Sequence, residues 1–308
     1  MSPLRQALVD YLTVRRSLGY KLKRTEKLLA QFATYLEDRG EERVSTETAL
    51  AWATLPISAH PSWTYGRLCV VRGFAAHLRT IDPATEIPPA DLLPRQRCRA
   101  TPYLYSDEDV GALMIAAATL RTPHRVATYR TLIGLLVVSG MRVGEVIGLN
   151  RGDFDSVNGL LIVRNGKFGK SRELPLHPSA VEAVRCYLQR RDRPPFAAST
   201  PALLVSTAGT RLLLGKVEST FHELVFRAGL KPRSASCRPR LHDHRHSFAV
   251  RTLLGAYRDG GDPAARLSLL STYLGHVEPR DTYWYLSAAP ELLALAAGRL
   301  ERHLGGDS

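Results

Sequence analysis

A proline-rich segment between residues 81 and 102 divides this 308-residue sequence into two regions that have helical periodicity. The segment IDPATEIPPADLLPRQRCRATP contains five prolines, and prolines at this density resist both helices and central strands. A chain of this length is expected to form about two domains of ordinary size. We therefore predict a domain over residues 1–90, a basic linker over 91–104 and a second domain over 105–308.

The first region has the apolar spacing of amphipathic helices. In LRQALVDYLTVRRSLG and RTEKLLAQFATYLEDRG, apolar residues recur at intervals of three and four, and each stretch ends at a glycine. STETALAWATL, which begins with the capping residue Ser45, and SWTYGRLCVVRGFAAHLRT continue the pattern. The region is therefore predicted to be a small bundle of about four helices.

The second region combines helices with a short alternating stretch. Helices are predicted from Ser106, which precedes three acidic residues, and from about Tyr129 to Gly140, where the sequence is almost wholly apolar. GLLIVRN and SRELPLH alternate with a period of two around a turn at Asn165–Gly169, which predicts a β-hairpin. The predicted fold class is mainly α with a small β-hairpin or sheet, that is, an α+β second domain after a helical first domain.

The sequence is strongly basic, with 42 Lys and Arg against 29 Asp and Glu, a net charge of +13 and a pI near 9.9. This excess favours a polyanionic partner, because each neutralised phosphate releases condensed counterions. Three clusters carry much of it: Arg15, Arg16, Lys21, Lys23, Arg24 and Lys27; Arg95, Arg97 and Arg99; and Lys231, Arg233, Arg238 and Arg240. Each cluster alone is equally compatible with an ordinary solvated surface.

Composition argues against several other classes of protein. No apolar run approaches the roughly 18–20 residues of a membrane-spanning helix, and the N-terminus lacks the pattern of a secretory signal. The four cysteines are far apart and form no CxxC pair, which argues against a zinc ribbon and a disulfide framework. We expect a cytoplasmic protein with no membrane partner.

Four pieces of the second region carry polar residues that a core does not require. They are SGMRVGEV with Arg142, NGKFGKSREL with Lys167 and Lys170, LHDHRHSFA with His242 and Arg245, and YLGHVEPRDTYWYL with His276 and Tyr285. Each has a structural alternative when taken alone. Arg142 could snorkel or pair with Glu145, the turn lysines could be solvated, and Tyr285 could belong to a core or an interface.

The three histidines of HDHRH also invite a metal-site interpretation. On a helix, His242 shares a face with Arg245 and His246, whereas His244 points away from His242 and His246. No cluster of Cys, Glu or Asp supplies further ligands, so we expect no metal site here.

Taken in order, these residues resemble the catalytic signature of the tyrosine recombinases, which include phage integrases, Xer enzymes and some transposases. The signature is an arginine, a lysine in a hairpin, HxxR, GH, and a tyrosine nine residues further on. The resemblance covers the whole second region, about 200 residues, and makes it the catalytic domain. The first region resembles the core-binding domain of that family, and TYWYLSAAPE resembles transposase-type members.

The resemblance implies a role for six residues. Arg142 and Arg245 correspond to the arginines that bind the scissile phosphate, and Lys167, rather than Lys170, to the lysine that protonates the leaving 5′-oxygen. Two guanidiniums suit this task because they fork onto non-bridging oxygens. His242 and His276 occupy the two histidine positions. Tyr285, preceded by Thr282 in a T-x-x-Y spacing, is the implied nucleophile, with Tyr283 as the next candidate.

The implied activity is DNA cleavage and rejoining through a 3′-phosphotyrosyl bond, which needs no metal, ATP or other cofactor. The implied partners are double-stranded DNA and further copies of the chain, as a tetramer on paired sites; a partnership with related recombinases stays open. The residues predicted to contact DNA are Arg15, Arg16, Lys21, Lys23, Arg24, Arg95, Arg97 and Arg99. The tail at 289–308 is predicted to dock on a neighbouring subunit, with packing in its own domain as the alternative.

Two other functions remain possible on the same residues. A type IB topoisomerase uses nearly the same set of side chains but relaxes supercoils as a monomer. A catalytically silent accessory protein would bind DNA with the same fold. The helical domain before the linker and the GH…Tyr spacing favour the recombinase over the first, and the full set of six residues favours it over the second.

Overall fold

The computed structural model describes residues 2–95, 100–164, 171–259, 261–275, 293–295, 297–298 and 301. Contacts divide the chain into two compact units, Met1–Arg99 and Ala100–Ser308. The described residues are mainly helical with one small sheet, so the predicted fold class is confirmed. Within these ranges, no helix is both long and apolar enough to cross a membrane.

The first unit contains four described helices: α1 (Pro3–Ser17), α2 (Lys23–Asp38), α3 (Thr46–Thr54) and α4 (Pro61–Leu78). Their apolar faces meet in one core, in which Phe32, Leu36 and Phe74 are almost fully buried. The sequence signals act as expected at the helix ends. The Ser45 hydroxyl accepts a hydrogen bond from the Thr48 amide at 3.0 Å and so caps α3.

The second unit contains seven further described helices: α5 (Asp107–Ala118), α6 (Pro123–Ser139), α7 (Val143–Gly148), α8 (Pro178–Leu188), α9 (Leu214–Arg227), α10 (Asp243–Arg258) and α11 (Pro263–Leu274). A large core lies around α6, where Leu132, Ile133 and Leu136 are fully buried. A smaller apolar cluster joins α10 to α11. The amino end of α10 and the carboxyl end of α11 therefore belong to one packed substructure.

The helix predicted from about Tyr129 begins earlier, at Pro123. Thr122 caps it by accepting a hydrogen bond from the Arg125 amide at 3.2 Å, and Pro123 occupies the first turn, where it needs no hydrogen-bond donor. The first turns of α6 are more polar than its apolar second half, which is why the apolar run alone placed the start too late.

The sheet has three antiparallel strands in the order β1 (Phe154–Asp155), β2 (Leu160–Val163) and β3 (Arg172–Pro175). β2 and β3 are the strands of the predicted hairpin, with Leu161 opposite Leu174 and Val163 opposite Arg172. The two-residue strand β1 was not predicted, because a segment that short has no measurable alternation. The predicted turn itself falls largely within 165–170, outside the described residues.

Candidate active site

Three of the six predicted catalytic residues lie in the described part of the chain, and they lie near one another. Arg142 immediately precedes α7, His242 immediately precedes α10, and Arg245 lies in the first turn of α10. Arg245 donates to the carbonyl of Gly140, two residues before Arg142, and the charges of both arginines lower the pKa of His242, so the three residues belong to one site. Lys167, His276 and Tyr285 lie outside the described residues.

Arg245 ties together the ends of two other helices. Its Nη1 donates to the Gly140 carbonyl at 3.0 Å and its Nη2 to the Leu274 carbonyl at 2.6 Å. These carbonyls follow α6 and end α11, so the guanidinium fixes both ends against α10. Arg245 is only 1% exposed, which makes it one of the most buried charged groups described.

Gly140 allows this arrangement because no other residue fits there without strain. Its φ is +58°, and a Cβ at this position would lie 2.5 Å from Cδ1 of Phe248. The left-handed conformation ends α6 and directs the Gly140 carbonyl at Arg245. The chain then reaches Arg142 two residues later.

Arg142 is held by Glu145, the pairing that the sequence left open. The Arg142 amide donates to Glu145 Oε2 at 3.0 Å and Nη1 donates to Oε1 at 2.8 Å. The Arg142 side chain is 26% exposed. Within the described residues only Nη1 of the guanidinium has an acceptor, so its other N–H groups remain available to an anion.

A second arginine, Arg172, binds the same carboxylate. Nη2 donates to Glu145 Oε2 at 2.8 Å and Nη1 to Oε1 at 3.2 Å. Burial by itself would raise the pKa of Glu145, but the hydrogen bonds and charges of Arg172 and Arg142 lower it to about 2. Glu145 is therefore ionised at neutral pH, buried, and shared between two guanidiniums.

His242 is exposed on one side, and on the other its ring meets the ring of His246 at a centroid distance of 4.9 Å. Partial burial, and then the neighbouring His246, Arg245 and Arg142, lower its pKa to about 4. Solvent on the exposed side screens the charges and limits their effect. The direction of the shift makes the ring neutral at pH 7, a form that can accept a proton.

The remaining polar residues of HDHRH are packed in the interior. His244 is 1% exposed and stacks on Tyr105 at 4.2 Å, on the side away from His242, as the helical phase predicted. Asp243 is fully buried and accepts two hydrogen bonds from Arg240, each 2.9 Å long. No group of three or more His, Cys, Asp or Glu that could hold a metal ion occurs in the described part of the chain.

Comparison with known proteins assigns the family. The sequence model of the Phage integrase family matches residues 104–291. The integrase/recombinase homologue y4rB of Sinorhizobium fredii is 46% identical over 308 residues, covering 98% of both chains. This chain belongs to the phage integrase family of tyrosine recombinases. The resemblance seen in the sequence is thereby confirmed, together with DNA recombination as the activity of the family.

More distant members agree with this assignment. The tyrosine recombinase XerC of a Mycobacterium species is 30% identical over 244 residues, which cover 78% of this chain and 72% of that protein. The Tn1549 transposon integrase in complex with transposon right end DNA has a TM-score of 0.64 at 18% identity, covering 96% of this chain and 98% of that one. At this low sequence identity, the similarity to the Tn1549 integrase shows that the two chains share a fold.

The basic residues predicted for DNA contact lie on the surface of the first unit where the structure describes them. Lys21, Lys23, Arg24 and Arg95 are exposed, and Arg16 is exposed beside Glu26, whose carboxylate lies 2.6 Å away. Arg15 and Arg24 lie over the rings of Tyr20 and Trp63, at 4.3 and 4.4 Å. Arg97 and Arg99 lie outside the described residues.

Arg172 is the site residue that the sequence analysis missed. In the sequence, Arg172 lies in SRELPL, five residues after Lys167, and was assigned no role. An arginine at the first position of a strand is common on protein surfaces. The available signal was its place directly after a lysine-bearing turn, together with Glu145, whose carboxylate has room for a second cation besides Arg142.

Proposed function

We propose that this protein is a site-specific recombinase that cleaves and rejoins DNA strands through a covalent tyrosyl intermediate. Tyr285 Oη attacks the scissile phosphorus, the bond from phosphorus to the 5′-oxygen breaks, and a 3′-phosphotyrosyl bond forms. The tyrosyl proton leaves to a base, and the 5′-oxygen takes a proton from an acid. The single observation that supports this most is the cluster of Arg142, Arg245 and a neutral His242 in a chain of this family.

The two arginines supply the positive charge that a phosphodiester requires. The non-bridging oxygens carry the negative charge, and guanidiniums fork onto them with two directed hydrogen bonds. Arg142 has the exposure and the remaining donors for this role. Arg245 is 1% exposed, so the proposal requires that an edge of its guanidinium becomes accessible when DNA binds.

His242 is proposed to take part in proton transfer. Tyrosine has an ordinary pKa of about 10, so its hydroxyl must lose a proton as it attacks. A ring whose pKa is lowered to about 4 is neutral at pH 7, but the same shift makes it a weak base, so in this proposal it takes the proton only in concert with the attack. The cationic surroundings of Arg142 and Arg245 also favour the phenolate.

Lys167, His276 and Tyr285 enter the proposal from the family resemblance. Lys167 protonates the departing 5′-oxygen, and His276 donates a hydrogen bond to the phosphate. The energy of the broken bond is kept in the phosphotyrosyl link, so a second 5′-hydroxyl can reverse the step on another strand. Neither a metal ion nor ATP has a part in this scheme.

The proposed partners are double-stranded DNA and other copies of the chain. Four strands must be exchanged, which assigns one active tyrosine to each member of a tetramer on paired sites. The transposon right end DNA in the Tn1549 integrase structure supports DNA as the ligand. The proposed outcome is integration, excision or transposition of DNA, and the proposed place of action is the cytoplasm. The tail at 289–308 is proposed to dock on a neighbouring subunit.

The decisive experiment uses a suicide substrate, a DNA duplex nicked near the cut site and drawn from DNA that flanks the gene. Wild type and Tyr285→Phe are incubated with it in EDTA, and denaturing gels reveal covalent adducts. We expect an adduct with wild type only, and binding by both. Arg142→Ala and Arg245→Ala should each lower the cleavage rate by orders of magnitude, because each removes charge from the transition state.

Other outcomes would redirect the assignment. An adduct that persists in Tyr285→Phe would make Tyr283 the candidate nucleophile. Firm binding without any adduct would favour an accessory DNA-binding protein. Relaxation of supercoiled DNA that lacks paired sites would favour a type IB topoisomerase, and inhibition by EDTA would revive a metal-dependent mechanism.

A further inference from the structure

We propose that Arg172 is a positioning residue that holds both phosphate-binding arginines in their working arrangement; this rests on the proposed function. Arg172 begins β3 and binds Glu145, the partner of Arg142, together with the Tyr273 carbonyl, which precedes the Leu274 carbonyl that Arg245 binds. It belongs to neither of the helices that carry those residues. Its position links the strand to α7 and to the carboxyl end of α11, the segments whose groups bind the two guanidiniums.

The first link runs through Glu145. This carboxylate accepts four hydrogen bonds, two from Arg142 and two from Arg172, which fills the lone pairs that a carboxylate offers. The Arg172 fork fixes the plane of the carboxylate, and the carboxylate in turn fixes the Arg142 guanidinium. The Arg172 and Glu145 side chains are 14% and 9% exposed, so solvent competes little for these bonds.

The second link runs through the carboxyl end of α11. Arg172 Nε donates to the Tyr273 carbonyl at 2.9 Å, and Arg245 Nη2 donates to the next carbonyl, that of Leu274. The two arginines therefore satisfy consecutive carbonyls that a helix end leaves without partners. Burial raises the pKa of the Tyr273 hydroxyl, and the charges of Arg172 and Arg245 both act in the opposite direction.

Gly275 shows how closely Arg172 is fitted. Its φ is +68°, and a Cβ there would lie 3.2 Å from Nη1 of Arg172 and 3.5 Å from its Cζ. The guanidinium thus lies close to the backbone that ends α11. Nε, Nη1 and Nη2 each donate to an acceptor within the described residues, which commits the guanidinium to Glu145 and to the Tyr273 carbonyl. We therefore assign Arg172 to holding Arg142 and Arg245 in place and not to binding the phosphate.

The test measures single-turnover adduct formation at saturating enzyme, separately from DNA affinity. Arg172→Gln should bind DNA within about threefold of wild type but cleave on the order of 100-fold more slowly, since small misplacements of catalytic groups cost that much. The cleavage rate of Arg172→Lys should lie between those of wild type and Arg172→Gln, because one ammonium cannot bind both oxygens of Glu145 and also reach the Tyr273 carbonyl. If Arg172→Gln does not fold, Arg172→Lys carries the test.

Arg211 provides a matched control. It also uses its guanidinium to bind carbonyls beside α7, those of Ile147 at 2.7 Å and Leu149 at 3.0 Å, but at the other end of the helix. Arg211→Gln should lower the melting temperature about as much as Arg172→Gln and leave the cleavage rate at saturation near that of wild type. Equal slowing by both variants would mean that Arg172 is merely structural.

A double-mutant cycle tests the route through Arg142. In an Arg142→Ala background, Arg172→Gln should slow cleavage by much less than it slows wild type, because one of the two groups that it positions is gone. Equal factors in both backgrounds would overturn the inference. Lack of any adduct with wild type would instead overturn the proposed function, so the two failures are distinguishable.

Discussion

His244 is buried without a hydrogen bond to either ring nitrogen in the described part of the chain, which makes folding sensitive to acid. Its ring stacks on Tyr105 and meets the edge of Phe221. Burial lowers its pKa from 6.5 to about 3. Because the unfolded chain binds the proton more readily than the folded one, protonation favours unfolding, and stability falls as the pH decreases from about 6.5 towards 3.

The size of this effect follows from the two pKa values. At pH 7 the His244 ring is largely neutral in both the folded and the unfolded chain, and its titration lowers the free energy of unfolding by about 0.2 kcal/mol. At pH 5 the ring is protonated in the unfolded chain, and the free energy of unfolding is lowered by about 2 kcal/mol. Phenylalanine fills nearly the same space without a titrating nitrogen. His244→Phe should therefore lose about 2 kcal/mol less free energy of unfolding between pH 7 and pH 5 than wild type does.

The measurement is urea unfolding of the full chain, followed by circular dichroism at pH 7 and pH 5. Comparing variant with wild type at each pH cancels the contributions of the groups that they share. His222→Gln, at an exposed position of α9, is the control and should follow wild type, since a solvated ring loses no hydration on folding. If wild type and His244→Phe lose the same free energy on acidification, burial does not keep this ring neutral.

Two further predictions concern the site and the DNA-binding surface. Gly140→Ala should destabilise the protein by about 2 kcal/mol or more, because alanine is strained at positive φ and its Cβ meets Phe248; thermal unfolding measures this loss. The variant should also slow cleavage, because it shifts the carbonyl that Arg245 binds; adduct assays measure the rate. Lys23→Ala should weaken DNA binding similarly on all sequences and reduce the slope of log Kd against the logarithm of salt concentration by about one. Binding titrations at several salt concentrations measure this slope, and an unchanged slope would mean that Lys23 does not contact DNA.

The sequence predicts best where local chemistry decides the structure. Ser45 and Ser106 cap helices because their hydroxyls reach amides three residues later, which depends only on nearby residues. Glycines after apolar runs likewise mark the ends of α1 and α6. The hairpin strands follow from their alternation alone. These elements need no knowledge of the rest of the fold.

Long-range pairing is what the sequence does not reveal. Glu145 is 27 residues from Arg172, and Arg245 is 105 residues from the Gly140 carbonyl that it binds. The order of residue types predicted that Arg142 and Arg245 belong to one site, by resemblance to a family. It did not predict which groups hold them, because any of the other 40 basic residues could have paired with Glu145 as far as the sequence alone shows.

The HDHRH motif shows both what local periodicity predicts and what depends on distant residues. Its helical phase, 100° per residue, correctly separates His244 from His242 and His246. The phase does not say that Tyr105 and Phe221, from distant parts of the chain, enclose His244 while His242 stays exposed. Two histidines two residues apart thus acquire different environments: one is fixed in the core and the other faces the site with a neutral ring. That difference makes His242, and not His244, the candidate to accept the proton of the proposed nucleophile.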